Sequence, residues 1–367
     1  MKKRILAFMM AAAMVFGSAT AVMAADEGQS STADKMTVTI TKNYQVNGAD
    51  AVSPAETFRF EDATLAFVAG TKYNDPNAVD TEKAVENGMK IPADVRTIDI
   101  TEPSYSEGEN GEKDITAVIT AVITAAKYDS VGRYIYTFQE TAGNTAGVTY
   151  DSGKYRLYVT VINGNTAGTY KIAAAYVKKE GETTKVQEIV NTYQSGNLKI
   201  TKTVTGNMGD KNKVFDVNVT LTVAGGKTVN APVSIVANDG TAQDKAEIST
   251  TDWSGNQATV TVKVKVKNGT TVELKNLPVG VSYTVEEATY NDYTTSYTQN
   301  GTRLTGTPAD TAVRATATDT VVIKNHKDTT VDTGVIISNL PYILILAAVA
   351  AGLVLFAAGK KRRADED

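Results

Sequence analysis

Two lysines and two asparagines stand at corresponding places in the two halves of the chain, where their side chains could react. Lys42 lies in an opening strand-like segment and Asn191 closes the first half, while Lys202 opens the second half and Asn325 lies in its final strand-like segment. An amine beside a carboxamide can displace ammonia and become an amide cross-link. We therefore predict that Lys42 joins Asn191 and that Lys202 joins Asn325.

Such a reaction requires an uncharged amine and an acid that moves protons. Burial in an apolar core lowers the pKa of a lysine and raises the pKa of a carboxylic acid. A neutral acid could then donate to the asparagine carbonyl and shuttle protons. Glu140, in Y-I-Y-T-F-Q-E, and Glu287, in S-Y-T-V-E-E, each follow an alternating run and are the candidate acids.

Alternation of apolar and polar residues predicts where the lysines point. Met36, Val38 and Ile40 alternate with threonine, which indicates a half-buried strand, and Lys42 shares their parity. Lys202 stands in the same relation to the apolar residues before it. The alternative for Lys42 is a stem that lies along the core while the ammonium reaches water.

The many short alternating runs, separated by Gly, Asn, Asp and Pro, predict an all-β protein built of β-sandwiches. We expect a flexible leader at 25–34, a first sandwich domain at 35–194 and a second at 195–328. At their junction we expect one strand to end at Asn191, a short polar turn to follow, and a new strand to reach Lys202.

Both ends of the chain have the composition of targeting segments. Residues 1–24 combine basic residues, an apolar run and a small-residue exit, which predicts a removed signal peptide. Residues 335–358 are predominantly apolar and predict a transmembrane helix, and the basic residues in 359–367 predict a cytoplasmic tail.

Composition argues against several functions. The net charge is −4 and no basic stripe is present, so we expect no nucleic acid partner. The chain has no Cys, which excludes disulfides and thiolate-bound zinc, and its single His, His326, lies beside Asn325 with no nucleophile motif nearby. We therefore assign no metal, no cofactor and no conventional enzyme activity.

Several motifs, in this order along the chain, resemble those of a known family. They are K-M-T-V-T-I-T-K-N, T-F-R-F-E, Y-I-Y-T-F-Q-E, G-V-T-Y-D-S-G-K-Y, N-L-K-I-T-K-T-V-T-G, L-P-V-G-V-S-Y-T-V-E-E and V-V-I-K-N. Together they resemble the two-domain major (backbone) pilins of Gram-positive bacteria. The resemblance implies two tandem immunoglobulin-like domains, each with a Lys-Asn isopeptide bond, in a pilus at the cell wall.

The segment 329–334 is similar to a sortase sorting signal. In T-V-D-T-G, a sortase transpeptidase would cut between Thr333 and Gly334 and pass the Thr carbonyl to an amine. The family has Pro where this chain has Asp332, and Asp does not fix the backbone as firmly as Pro. The alternative is a permanently inserted, single-pass membrane protein.

The resemblance also implies a lysine that links one subunit to the next, shortly before the last asparagine of the first domain. Lys185 is the matching position, and Lys178 and Lys179 are the next candidates. All three could instead be ordinary surface lysines. The implied partners are a sortase, other copies of the chain, minor pilins and peptidoglycan.

Three functions are consistent with these sequence features. We favour the structural shaft subunit of a covalently polymerised pilus. A wall-anchored adhesin or stalk that never polymerises is the alternative, and Lys185 distinguishes the two. An extracellular enzyme is the weakest interpretation, because the sequence offers no acid-base or nucleophile set beyond the two cross-link sites.

Overall fold

The computed structural model describes residues 33–109, 111–238, 247–248, 253, 259–306, 311–329 and 334–364. The predicted signal peptide (1–24) and all of the leader except its last two residues lie outside this part of the chain. Thr333 and Asp332 of the predicted sorting signal lie outside it as well.

The first half of the chain forms short and long β-strands around one hydrophobic core. They are β1 (Lys35–Asn47), β2 (Glu56–Thr57), β3 (Arg59–Phe60), β4 (Ala63–Ala69), β5 (Lys83–Ala84), β6 (Thr97–Ile98), β7 (Ser104–Tyr105), β8 (Asp114–Thr124), β9 (Gly132–Thr141), β10 (Val148–Thr149), β11 (Lys154–Asn163) and β12 (Tyr170–Lys179). Two single-turn 3-10 helices cover Ala93–Val95 and Ala125–Lys127.

The second half begins within one long strand and continues with shorter ones. They are β13 (Glu188–Thr205), β14 (Phe215–Val223), β15 (Val233–Ala237), β16 (Glu247–Ile248), β17 (Thr259–Val266), β18 (Thr271–Pro278), β19 (Val281–Glu287), β20 (Thr294–Gln299), β21 (Thr302–Arg303), β22 (Thr311–Ala312) and β23 (Thr318–His326). The fold is therefore all-β, as the sequence predicts.

Each half has the two layers of a sandwich. In the first half, β8, β1, β13 and β10 form one sheet, and β12, β11, β9, β4 and β5 form the other. In the second half, β13 lies between β18 and β23 in one sheet, and β17, β14, β19 and β22 form the other. Alternating apolar side chains of each pair of sheets fill the space between them, in two separate core clusters.

The junction differs from the expected strand-turn-strand arrangement. Glu188–Thr205 is one continuous strand of 18 residues, β13, that serves as the last strand of the first sandwich and the first strand of the second. Its pairing with β18 shifts register between Gly196 and Leu198, which marks a bulge where the strand passes from one core to the other. The expectation of a turn was wrong, because polar residues at this point hydrogen-bond to neighbouring segments instead of reversing the chain. The main-chain N–H of Gln194 donates to the Gly147 carbonyl, and the Gln194 carbonyl accepts from the Val279 N–H.

The C-terminal segment is an α-helix, α1 (Gly334–Ala364). Large apolar side chains between Tyr342 and Phe356 are exposed on it. The sequence predicts a transmembrane span at 335–358, whereas the described part of the chain contains no helix that meets both the length and the apolarity needed to cross a bilayer.

Candidate functional site

Strand register brings each lysine beside its asparagine. The parallel strands β1 and β13 pair Lys42 with Ile189, so that Asn191 stands two residues further along the neighbouring strand, on the same face of the sheet. In the second sandwich, the parallel strands β13 and β23 pair Lys202 with Ile323, which gives Asn325 the same offset. The first and last strands of each sandwich are therefore adjacent and parallel, and carry the two side chains in identical register.

A glutamate reaches across each core from the opposite sheet. In the first site, Lys42 Nζ lies 2.6 Å from Glu140 Oε2, and Asn191 Nδ2 donates to Glu140 Oε1 at 2.5 Å. Glu140 lies near the end of β9, which belongs to the facing sheet. One carboxyl group thus bridges the amine and the carboxamide.

The second site repeats this arrangement. Lys202 Nζ forms a very short ion pair with Glu287 Oε2, and Asn325 Nδ2 donates to Glu287 Oε1 at 2.6 Å. Glu287 is the last residue of β19, which occupies the place in the second sandwich that β9 has in the first. We call these two sets of side chains the first triad (Lys42, Glu140, Asn191) and the second triad (Lys202, Glu287, Asn325).

The triads are removed from water. Both lysines and both asparagines have no exposed surface, and the two glutamates are 5% and 6% exposed. Burial lowers the pKa of Lys42, although its contact with Glu140 opposes the shift. Burial likewise lowers the pKa of Lys202 to about 8, and it raises the pKa of Glu140. In both triads the shifts favour a neutral amine, and in the first triad they also favour a protonated acid.

Aromatic rings surround the amines. Lys42 Nζ lies 4.8 Å from the ring centroid of Phe58 and 5.6 Å from that of Phe60, and Lys202 Nζ lies 4.0 Å from that of Phe215. The rings exclude water, and their faces attract the amine while it is charged. The sequence pattern gives no sign that these rings enclose a lysine.

The carboxamide orientation corrects one detail of the expected chemistry. We expected the glutamic acid to donate to the asparagine carbonyl, whereas each glutamate faces Nδ2, the nitrogen that would leave as ammonia. In the first triad the Asn191 carbonyl oxygen accepts instead from the main-chain N–H of Asp151, at 2.8 Å. In the second triad Asn325 Oδ1 has no hydrogen-bond partner among the described residues.

Lys185, the candidate for linking subunits, lies outside both triads and on the surface. It is exposed, whereas Lys178 and Lys179 are half-buried. Its Nζ lies 5.3 Å from the ring centroid of Tyr176, at a groove of about 390 Å³ between β1 and β12. Gly334, which follows the predicted sortase cut, begins α1.

The class of protein follows from the fold and the triads: a tandem β-sandwich protein with a buried Lys-Glu-Asn triad in each sandwich. A curated pilin of Streptococcus pyogenes serotype M1 is 27% identical over 340 residues, which cover 88% of this chain and 90% of that protein. A crystal structure of a mutant major pilin from Streptococcus pyogenes matches with a TM-score of 0.51 and 21% identity, over 80% of this chain and 99% of that chain.

A family model described as a domain of unknown function, DUF7601, matches residues 196–327, which contain the second triad. The curated relative confirms the resemblance inferred from the motifs: over most of its length the chain is similar to a pilin of a Gram-positive bacterium. The solved structure independently confirms the fold.

Proposed function

We propose that the chain is the structural shaft subunit of a covalently polymerised pilus at the surface of a Gram-positive bacterium, stabilised by an isopeptide bond in each sandwich. The observation that carries the proposal is the repetition of one triad, buried and in the same register, on the first and last strands of both sandwiches. A buried ion pair adds little to stability compared with apolar residues of similar volume. Two such pairs, each beside a carboxamide, favour a chemical role.

The geometry supports a specific reaction. The neutral lysine Nζ attacks the asparagine Cγ, and an Nζ–Cγ bond forms. One proton passes from Nζ through the glutamate to Nδ2, the Cγ–Nδ2 bond breaks, and ammonia leaves. The glutamate is placed for both transfers because its two oxygens contact the atom that loses the proton and the atom that gains it. The reaction is one self-directed turnover per site.

Polymerisation would use a second kind of amide. A sortase would cut between Thr333 and Gly334 and transfer the Thr carbonyl to Lys185 of another copy, with minor pilins and peptidoglycan as further partners. The exposure of Lys185 supports this assignment, because a transferred acyl group needs an amine that it can reach. The groove beside Lys185 offers space for an extended chain, since between Lys35 and Ile40 strand β1 pairs, among the described strands, with β8 alone.

The test is the size of the assembled product in cell-wall extracts of the native host. Replacement of Lys185 by Ala should collapse a high-molecular-weight ladder of this protein to monomer. Lys178→Ala and Lys179→Ala serve as matched controls on the neighbouring strand, and each should leave the ladder unchanged. A wild-type extract that contains monomer alone would contradict the shaft role and favour a wall-anchored adhesin or stalk.

A further inference from the structure

The two triads differ at the carbonyl oxygen of the asparagine. In the first triad, both oxygens of Glu140 are engaged by Lys42 and by Asn191 Nδ2, and the Asn191 carbonyl oxygen accepts from the Asp151 main-chain N–H at 2.8 Å. This oxygen is the atom on which negative charge develops when the lysine attacks. A fixed donor aimed at such an atom lowers the barrier of acyl transfer.

The turn that contains Asp151 is held in place by its own side chain. Asp151 Oδ2 accepts from the Gly153 N–H at 2.9 Å and from the Tyr155 hydroxyl at 2.8 Å. Strand β10 pairs Thr149 with Thr192, which brings the turn against Asn191. The motif Y-D-S-G-K-Y thus gains a specific role, because it fixes a main-chain donor beside the carboxamide.

The second triad has no such donor in the part of the chain that the structure describes. Strand β20 pairs Thr295 with Asn325, but the Thr295 hydroxyl points to Glu287 Oε1, at 3.5 Å. Asn325 Oδ1 is buried and finds no partner among these residues.

We propose that the Asp151 main-chain N–H is the oxyanion donor of the first triad and that the Lys42–Asn191 bond consequently closes faster than the Lys202–Asn325 bond. This inference rests on the proposed cross-links and adds a catalytic group and an order of events to them. The N–H neither gains nor loses a proton. It stabilises the tetrahedral intermediate while the Nζ–Cγ bond forms and until ammonia leaves.

The direct test replaces the Asp151 N–H by an ester oxygen. Cell-free translation with the α-hydroxy analogue of aspartate at position 151 retains the carboxylate and removes only the donor. Peptide mass spectrometry at successive times measures each cross-linked peptide in the same molecules. Closure of the first bond should slow by about a hundredfold, and closure of the second bond should keep its rate.

Two comparisons complete the design. In the unsubstituted chain, the first cross-linked peptide should precede the second. Equal closure rates of the first bond in the ester and unsubstituted chains would overturn the inference while leaving the cross-links intact. If the unsubstituted chain forms neither cross-linked peptide, the proposed function fails together with the inference.

Discussion

At the scale of the residue, each triad places an amine where burial disfavours its charged form, and in the first triad burial disfavours the charged form of the acid as well. Desolvation costs several kcal/mol per buried ion, and the contact between the partners repays this in part only. Formation of the amide removes the amine from titration altogether. The buried charge pair is then replaced by a neutral amide, a covalent bond that water does not displace. The reaction therefore removes the desolvation cost of burying two charged groups.

Matched substitutions can test the roles of the two glutamates separately. Glu140→Gln should prevent the first bond and leave the second, and Glu287→Gln should do the reverse, because glutamine keeps the volume but cannot shuttle the proton. Each loss should lower the free energy of unfolding by about 5 kcal/mol in the chain-entropy model, as loops of this length are no longer closed. Intact mass, which should fall short of each variant's own sequence mass by one ammonia instead of two, and denaturant unfolding measure the two effects. A variant that forms both bonds would contradict the proton-shuttle role.

The lowered pKa of Lys202 predicts how stability depends on pH when the second bond cannot form. In an Asn325→Ala variant, the folded-state amine titrates at about 8, against 10.5 in the unfolded chain. Between these values the unfolded state binds more protons, so the free energy of unfolding should rise with pH, by at most about 3 kcal/mol.

Denaturant unfolding between pH 7 and 10.5 measures this slope. The same variant with Lys202→Met and Glu287→Gln provides the control, since it titrates neither group and cancels the contribution of tyrosines elsewhere. Equal slopes in the two proteins would show that the pKa of the Lys202 amine is not lowered in the folded state.

Much of the residue-scale account could be predicted from sequence. Strand parity places Lys42 and Lys202 on the inner face, and the order of the strands suggests Glu140 and Glu287 as the acids. The Asp151 donor could not be predicted, because its contribution is a main-chain N–H that carries no residue signature. The orientation of the carboxamides also could not be predicted from the sequence pattern, because it depends on contacts in the folded structure.

At the scale of the element, β13 is the central feature. Asn191 and Lys202 are eleven positions apart on one strand, roughly 36 Å of extended chain, so both proposed cross-links attach to the same strand. Polar residues and a glycine between two alternating runs suggested a turn. They instead belong to a strand that passes from one core to the other. There its main-chain and side-chain groups hydrogen-bond to segments of both sandwiches.

Asn276 connects the two sandwiches beside this crossing. It is buried with a left-handed φ of 62°, its Nδ2 donates to the Val52 carbonyl at 3.0 Å, and its Oδ1 accepts from the Tyr193 hydroxyl at 3.0 Å. Lys275 pairs with Asp50 at 2.9 Å, across the same joint. The two sandwiches are thus joined by hydrogen bonds as well as by β13.

Replacement of Asn276 should weaken this joint. In Asn276→Gly, the glycine adopts the left-handed backbone without strain, but the Tyr193 hydroxyl loses its acceptor. This loss should lower the free energy of unfolding by about 1–3 kcal/mol. Asn276→Ala should cost about 1–2 kcal/mol more, because a residue with a Cβ is strained at this φ. Urea unfolding in a background without cross-links, Glu140→Gln with Glu287→Gln, measures both. If alanine were tolerated better than glycine, the backbone argument would be wrong.

At the scale of the whole molecule, the proposed bonds carry force unequally. A load that enters at Lys185 and leaves through the C-terminal segment runs along β13 to Lys202, crosses the second amide to Asn325 and continues to Thr333. The first amide lies off this path. Its role would be to keep the first sandwich folded and resistant to proteases, while the second amide bears tension.

Single-molecule pulling can test this division. The chain contains no Cys, so a Lys185→Cys handle and a second cysteine added after the sandwiches define the load path. Glu287→Gln should release the segment between Lys202 and Asn325, an added length of roughly 400 Å. Glu140→Gln should add no comparable length under the same load. Equal extension of the two variants would contradict the proposed path.

Fold class and the number of sandwiches follow from the spacing of alternating runs, and the curated relative agrees with the motif order on which the pilin resemblance rests. The division of load was not accessible from sequence. It depends on which strands are neighbours, and parallel pairing of β1 with β13 and of β13 with β23 joins residues far apart in the chain. Alternation predicts which face a residue occupies but not which strand lies next to it.

The central claim is that the amine and the carboxamide of each triad are joined by a covalent bond. Peptide mass spectrometry of the protein, isolated from its native host and digested under denaturing conditions, tests it most directly. We predict a branched peptide that joins Lys42 to Asn191 and another that joins Lys202 to Asn325, each lighter than its two parts by one ammonia. Recovery of the four residues in separate, unmodified linear peptides would contradict it.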